Sequence, residues 1–264
     1  MMQKRRKNIY NPESKEPFNI SRSKIEFFLE CPQCFYLDRR FGIARPDMPG
    51  WSLNSAVDQL LKNEFDILRS QNQAHELMAK YGINAVPFSH PELSVWRDDN
   101  GNKIGASFLH KETNLNICGI VDDIWINNET KKLHIVDYKS TSTDYPISLD
   151  HEYKQGYKRQ MEVYQWIFKK LGFPVSEIGY FFFANATKNR PAFDARLEFN
   201  NLILAHNADD SWVEPTIFEI RKVLNSSEIP EPGKKCQYCA YRKLVVVEKI
   251  RHKQESQGTQ QKII

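Results

Sequence analysis

The chain has 264 residues, of which 41 % are hydrophobic and 27 % are charged, with 11 glycines and 13 prolines. This composition is typical of one or two globular domains and excludes a collagen-like or wholly disordered chain. No apolar run approaches the roughly 20 residues of a membrane span, and the N-terminus lacks the apolar stretch of a secretion signal, so we expect a cytoplasmic protein without a membrane partner.

The charge of the chain is concentrated at its N-terminus. The formal net charge is +4, but residues 1–24 alone carry +5, so affinity for nucleic acid depends on this segment or on a local patch. Residues 1–18 predict a disordered basic arm, which is either a DNA contact or a solvated tail. Residues 253–264 are rich in glutamine and predict a disordered tail, which leaves a single domain over residues 19–252.

Three helices are predicted in the first part of this domain. The first begins at the capping box of residues 23–26, the second covers residues 53–69, and the third covers residues 74–82 with a glycine at its end. Residues 86–99 contain two prolines and predict a loop.

Strands dominate the second part of the domain. β-branched and aromatic residues predict three antiparallel strands, then an amphipathic helix and two further strands. The strands are expected at residues 104–109, 115–126, 133–138, 178–184 and 192–199, and the helix at residues 153–171.

Two carboxylates and a lysine fall on the predicted hairpin. Asp137 and Lys139 are two residues apart on one strand and therefore share a face, and the neighbouring strand can place Asp122 beside them. Converging carboxylates suit Mg²⁺ or Mn²⁺, and a lysine beside such a metal stabilises charge that develops on a phosphate. The sequence therefore predicts a site for phosphodiester hydrolysis.

The order of motifs resembles a nuclease family. Gln160 and Tyr164 are four residues apart and share a helix face. The series G-x-V-D at 119–122, D-x-K at 137–139 and Q-x-x-x-Y at 160–164 resembles the RecB-like branch of the PD-(D/E)XK nucleases, which includes CRISPR-associated and AddAB-type nucleases. Residues 23–36 resemble the first helix of that branch, and the likeness extends from Ser21 to Arg242.

The resemblance implies an α/β fold in which helices flank a mixed central β-sheet, and in which a cysteine metal centre joins the N- and C-terminal segments. It also implies a metal-dependent DNA nuclease of exonuclease type, acting on ends or single strands in repair, recombination or CRISPR adaptation, with a helicase, recombination or CRISPR-adaptation partner. Two alternatives stay open. One is a DNA-binding or structural module of the same fold that has lost its catalytic activity, and the other is an interaction protein, unrelated to nucleic acid, whose fold is held together by zinc.

The resemblance assigns the metal ligands. Asp122 and Asp137 would bind Mg²⁺ or Mn²⁺, and the main-chain carbonyl of Tyr138 would add a ligand. The second helix of the branch usually carries a histidine ligand within G-x-x-x-H, whereas this chain has Asp58 at that position. Asp58 is either a third metal ligand, because carboxylates suit Mg²⁺, or the mark of a lost activity.

The remaining catalytic roles follow from the same resemblance. Lys139 would be the catalytic lysine. Gln160 and Tyr164 would position the DNA or that lysine.

Two C-x-x-C pairs predict a second metal centre. Cys31 and Cys34 lie about 200 residues before Cys236 and Cys239, and four thiolates suit zinc or an iron-sulfur cluster. Proteins of the resembling branch hold a 4Fe-4S cluster with one cysteine from the first helix and three near the C-terminus, so here Cys34 would replace the missing ligand. A 4Fe-4S cluster is the expectation, with structural Zn²⁺ or no metal as alternatives. Cys118 is expected in the core.

Overall fold

The computed structural model describes residues 7–46, 50, 52–99, 101 and 103–260. These residues form two compact units. The first, called the sheet unit, combines residues 15–26 with the described part of 48–218, and the second, called the cysteine unit, combines residues 7–14 and 27–46 with those from 219 onward. Among the described residues, no helix has both the length and the apolarity that a membrane crossing requires.

Eight α-helices, one short 3₁₀ helix (Glu152–Lys154) and eight strands occur in this part of the chain. The helices are α1 (Arg22–Glu30), α2 (Pro32–Phe41), α3 (Ser52–Gln71), α4 (Glu76–Lys80), α5 (Leu93–Trp96), α6 (Gln155–Lys170), α7 (Val213–Asn225) and α8 (Gln237–Gln260). The strands are β1 (Phe18–Ser21), β2 (Ala85–Pro87), β3 (Ala106–His110), β4 (Leu115–Gly119), β5 (Asp123–Asn127), β6 (Leu133–Thr141), β7 (Ile178–Ala186) and β8 (Phe199–Asn207). Helices α1 and α7 begin in the sheet unit and end in the cysteine unit.

The sheet unit is built on a mixed five-stranded sheet in the order β2-β5-β6-β7-β8. Strands β6 and β7 are parallel, and the other neighbours are antiparallel. Together with its flanking helices, this sheet confirms the predicted α/β class with a mixed central sheet. A second sheet of three strands has the order β1-β4-β3.

The two faces of β6 serve different purposes because side chains alternate along a strand. Val136 and Tyr138 point to one face, where they pack in a buried cluster with Phe65 of α3. Asp137 points to the other face, toward α6, where the Gln160 side chain reaches it. Burial of the first face anchors β6, and the second face carries the polar groups.

The predicted strand at residues 115–126 is wrong, because the structure divides it between the two sheets. Strand β4 ends at Gly119, and β5 begins at Asp123. Gly105 has a φ of +71° and lies so close to the Gly119 carbonyl that a side chain at 105 would overlap it. The Val121 amide then donates to the Trp96 carbonyl at 3.2 Å, so the chain leaves the first sheet here.

Other elements also differ from the sequence prediction. Helix α1 ends before Cys31, and Pro32 opens α2 at a position where proline is favoured. The predicted strand at 192–199 is wrong, because β8 begins only at Phe199. Strands β1 and β2 and helices α5, α7 and α8 were not predicted, and α5 lies within the stretch 86–99 that was predicted to be a loop.

The predicted arm and tail contain ordered structure. Tyr10 is buried in the cysteine unit, and its hydroxyl donates to the Asn225 side chain at 2.7 Å. Helix α8 continues to Gln260, so the predicted tail begins inside a helix. Residues 1–6 and 261–264 of the predicted arm and tail lie outside the described residues.

Candidate active site

The residues predicted from the hairpin and from α6 come together in the sheet unit. Asp122 immediately precedes β5, Asp137 and Lys139 lie on β6, and Gln160 and Tyr164 lie on successive turns of α6. A cleft of about 510 Å³ opens at this point. Its lining includes Arg22, Asp58, Asp122, Lys139, Tyr157 and Gln160.

Asp137 is the buried centre of the constellation. Its Oδ1 accepts a hydrogen bond of 2.7 Å from Gln160 Nε2, and its Oδ2 forms an ion pair with Lys139. A carboxylate has about four lone-pair sites, so these two partners leave capacity for a metal ion. The side chain is fully buried, which makes its negative charge dependent on such partners.

Asp122 is half-buried and is oriented by the main chain of β6. Its Oδ2 accepts a hydrogen bond of 2.8 Å from the Tyr138 amide. Burial and the neighbouring Asp137 carboxylate raise the pKa of Asp122 to about 7. Two carboxylates that repel each other in this way favour a bound cation. The amide and carbonyl of one strand residue point to the same side, so the Tyr138 carbonyl also faces Asp122.

Lys139 supplies positive charge at the cleft. Its Nζ pairs with Asp137 and lies 4.8 Å from the centroid of the Tyr157 ring. Burial lowers the pKa of Lys139, but Asp137 and Asp122 outweigh burial and raise that pKa above its ordinary value. The raised pKa keeps the Lys139 ammonium positively charged at neutral pH.

Tyr164 connects α6 to the glycine of the G-x-V-D motif. The Tyr164 hydroxyl lies 3.4 Å from Gln160 Nε2, and its ring packs so tightly on Gly119 that a Cβ at residue 119 would overlap it. Burial raises the pKa of Tyr164, so its hydroxyl is neutral. This contact is a physical reason for glycine at position 119, three residues before Asp122.

Asp58 lies in the same cleft, but its carboxylate is bound elsewhere. It forms an ion pair of 3.0 Å with Lys62, one helical turn further along α3. Within the described part of the chain, the four cysteines form a group of candidate metal ligands whose sulfurs lie within 4.8 Å of one another. Asp58, Asp122 and Asp137 do not form such a group. Sequence reasoning missed Lys62, although its i, i+4 spacing from Asp58 predicts such a pair.

The family model described as the PD-(D/E)XK nuclease superfamily matches residues 19–244. The chain belongs to this superfamily. Its members are generally metal-dependent nucleases. A search of curated proteins finds no significant match.

A buried ion network supports the PD-(D/E)XK site from the α3 side. Asp123 pairs with Arg69 and accepts hydrogen bonds of 2.8 Å from the Tyr138 hydroxyl and the Ile124 amide. It immediately follows Asp122, so these bonds hold the start of β5 in place. The role of Asp123 is not evident from the sequence, because an acidic pair alone does not show which carboxylate faces the core.

A second cavity adjoins the PD-(D/E)XK site and is rich in aromatic side chains. It has a volume of about 500 Å³, and Lys139 and Tyr157 line both this cavity and the cleft. At its rim Tyr145 and Tyr153 are 83 % and 73 % exposed. The His151 ring stacks on Tyr153 with centroids 5.4 Å apart. We call this the aromatic cavity.

The four predicted cysteines cluster in the cysteine unit of this PD-(D/E)XK protein. Cys31 and Cys34 lie at the start of α2, and Cys236 and Cys239 lie at the start of α8. All four side chains are buried, and their sulfurs lie within 4.8 Å of one another. Such a group could hold a metal ion or an iron-sulfur centre. Cys118 is buried in β4, as expected of a core residue.

Proposed function

We propose that this protein is a metal-dependent DNA nuclease that hydrolyses phosphodiester bonds. The observation that carries the proposal is that Asp122 and Lys139 line one cleft, while the buried Asp137 pairs with Lys139 and raises the pKa of Asp122. The donor set fits a hard divalent cation, because carboxylate and carbonyl oxygens are its preferred ligands. Asp122 and Asp137, with the Tyr138 carbonyl, would hold Mg²⁺ or Mn²⁺, which supplies Lewis acidity toward a phosphate and an activated water.

The protein side chains then divide the remaining tasks. Lys139 donates a hydrogen bond to a non-bridging phosphate oxygen and stabilises the negative charge that grows there during attack. Gln160 holds Asp137 through its 2.7 Å hydrogen bond and thereby orients a carboxylate toward the cation. Tyr164 supports Gln160 from the next turn of α6.

The aromatic cavity supports single-stranded DNA or DNA ends as the substrate. Exposed aromatic rings stack on bases of any sequence, and duplex DNA hides its base faces. Lys154, at the same cavity, adds a cation for the backbone. Exonuclease-like action in repair, recombination or CRISPR adaptation, with a helicase or adaptation partner, is proposed on the resemblance of the motifs alone.

A second candidate function rests on the Asp58 pair. The RecB-like branch that the motifs resemble usually carries a histidine ligand where this chain has Asp58, and the Asp58 carboxylate already pairs with Lys62. If this pair keeps the metal out, the protein holds DNA without cutting it. The same cleft and aromatic cavity serve that role.

Cleavage assays separate the two functions. End-labelled single- and double-stranded DNA is incubated with the protein in Mg²⁺ or Mn²⁺, alongside Lys139→Ala and Asp137→Asn. Lys169→Ala is the matched control, since Lys169 lies on α6 and pairs with Asp210. We expect metal-dependent cleavage that both site variants lose and the control retains. Folded wild-type protein that binds DNA without cutting it refutes the nuclease and supports the DNA-holding module.

A separate substitution tests the substrate class. Tyr153→Ala removes an exposed stacking ring, whereas Tyr153→Phe retains it. We expect the KM for single-stranded DNA to rise several-fold in the alanine variant only. Equal KM values in both variants contradict the assignment of the aromatic cavity.

A further inference from the structure

The spacing of the four cysteine sulfurs distinguishes between kinds of metal centre. The Sγ atoms of Cys34 and Cys239 are 3.4 Å apart, and those of Cys31 and Cys239 and of Cys34 and Cys236 are 3.7 Å apart. All the sulfurs lie within 4.8 Å of one another. These separations are far longer than the roughly 2.05 Å of a disulfide bond, so the set consists of four separate thiol groups.

A single tetrahedral ion matches this spacing. With zinc-sulfur bonds of about 2.3 Å, the edge of a regular tetrahedron of sulfurs measures about 3.8 Å. A 4Fe-4S cluster binds each thiolate to a different iron at a separate corner of a cube, which keeps the four sulfurs roughly 6 Å apart. The observed sulfurs are closer together than such a cluster would hold them, so their spacing favours a single ion over the 4Fe-4S centre implied by the resemblance.

We propose that Cys31, Cys34, Cys236 and Cys239 hold one Zn²⁺ ion in a closed structural site. The side chains are at most 9 % exposed, which leaves no open coordination position for a water or a substrate. Two C-x-x-C pairs are the ligand arrangement of structural zinc sites. The proposal concerns the cysteine unit only and does not depend on the nuclease activity.

The groups around the sulfurs fit four negatively charged thiolates. The Gly233 amide donates to Cys31 Sγ at 3.2 Å, and the Cys34 amide donates to the same sulfur at 3.5 Å. Gly233 lies so close to the Glu30 carbonyl that a side chain at 233 would overlap it, and this approach delivers its amide to the sulfur. Such outer-shell donors orient metal ligands.

An arginine offsets part of the charge. Four thiolates around one Zn²⁺ leave a net charge of about −2. Arg45 Nη2 lies 3.4 Å from Cys236 Sγ, and its guanidinium stacks over the rings of Phe27 and Tyr238 at 4.4 and 4.7 Å. The two rings thus hold the arginine beside the sulfurs.

Metal analysis of the full chain tests the proposal directly. The protein is expressed with both iron and zinc in the medium and purified without oxygen, and its zinc, iron and acid-labile sulfide are measured per chain. We expect one zinc and no labile sulfide. Four irons with four sulfides per chain would overturn the single-ion site. One iron without sulfide would overturn the assignment of zinc. Folded protein without metal would overturn both the single-ion site and the assignment of zinc.

Cobalt substitution and a pair of variants complete the test. Co²⁺ exchanged into the wild-type chain should show the intense d-d absorption of tetrahedral sulfur ligation, and octahedral-type weak absorption contradicts the proposal. We expect Cys34→Ser to lose at least half of its zinc, while Cys118→Ala keeps one zinc per chain because Cys118 lies in β4 of the sheet unit. Zinc loss in the Cys118 variant alone refutes the ligand assignment. Each readout is independent of DNA cleavage, so failure of the nuclease assay leaves it unaffected.

Discussion

Replacement of Gly119 by alanine tests the contact that joins α6 to the end of β4. The alanine Cβ would overlap the Tyr164 ring. The φ angle of Gly119 is not in the left-handed region, so alanine causes no backbone strain and its cost reports the overlap alone. Tyr164 is only 4 % exposed, so the ring has little room to move away.

The size of the effect follows from overpacking of a buried site. An added methyl group in a filled core costs about 1–3 kcal/mol. For a chain of this length, that loss corresponds to a fall in Tm of about 2–12 °C. Because Tyr164 also lies 3.4 Å from the Gln160 amide, displacement of its ring should loosen the support of Asp137 and lower any DNA cleavage rate.

Urea unfolding of matched variants isolates the contact. Gly156→Ala is the control, since its Cβ would meet only the flexible Glu26 carboxylate at 3.4 Å. Alanine favours helix over glycine, so the control should equal or exceed the wild type in stability by up to about 1 kcal/mol. In a second background, Tyr164→Leu removes the overlapping ring atoms, and the added cost of Gly119→Ala should fall toward zero.

Two results would refute this reasoning. Wild-type stability in Gly119→Ala would show that the ring moves freely. An unchanged cost in the Tyr164→Leu background would show that the alanine acts on some other group.

Three further substitutions and modifications have defined outcomes. Burial raises the pKa of Asp66, but its hydrogen bond and ion pair with Arg97 outweigh burial and lower that pKa below its ordinary value. The Asp66 side chain is 45 % exposed and therefore screened by solvent, so Asp66→Asn should cost about 0.2–1 kcal/mol in urea unfolding at pH 7. The gap should close as the pH falls below about 4, where the wild-type carboxylate becomes protonated, and an equal gap at pH 3 contradicts this. Burial raises the pKa of Cys118 to about 11, so iodoacetamide at pH 8 should modify Cys118 only after unfolding. Mass spectrometry measures this, and labelling of Cys118 in the folded chain refutes it. Glu162→Ala removes the acceptor of the 2.6 Å hydrogen bond from Trp212 and should lower the free energy of unfolding by about 1–3 kcal/mol. Glu162→Gln keeps an acceptor and should cost less. Equal losses in the two variants contradict the role of this bond.

Local spacing accounts for the site features that the sequence predicted. Asp137 and Lys139 share a face because strand side chains alternate, and the structure joins them in an ion pair. Gln160 and Tyr164 share a face because a helix repeats every 3.6 residues, and their side chains lie 3.4 Å apart. Both relations are set within a few residues and hold wherever the element packs.

Contacts between distant segments account for the misplaced strand at residues 115–126 and for the missed Asp123. Residues 115–126 carry a continuous strand pattern, and only the approach of Gly105 to Gly119 shows where the strand breaks. The contact between Asp123 and Arg69 joins residues 54 positions apart, and neither local sequence indicates it.

The sequence by itself determined the fold class, the four cysteines and the order of the acidic, basic and amide residues at the cleft. Periodicity and residue chemistry suffice for these features because they are local. Only the tertiary structure decided the Asp123–Arg69 pair and the 3.4–3.7 Å separations of the cysteine sulfurs. Those distances depend on how segments up to 208 residues apart pack together, and it is these distances that favour one zinc ion over a cluster.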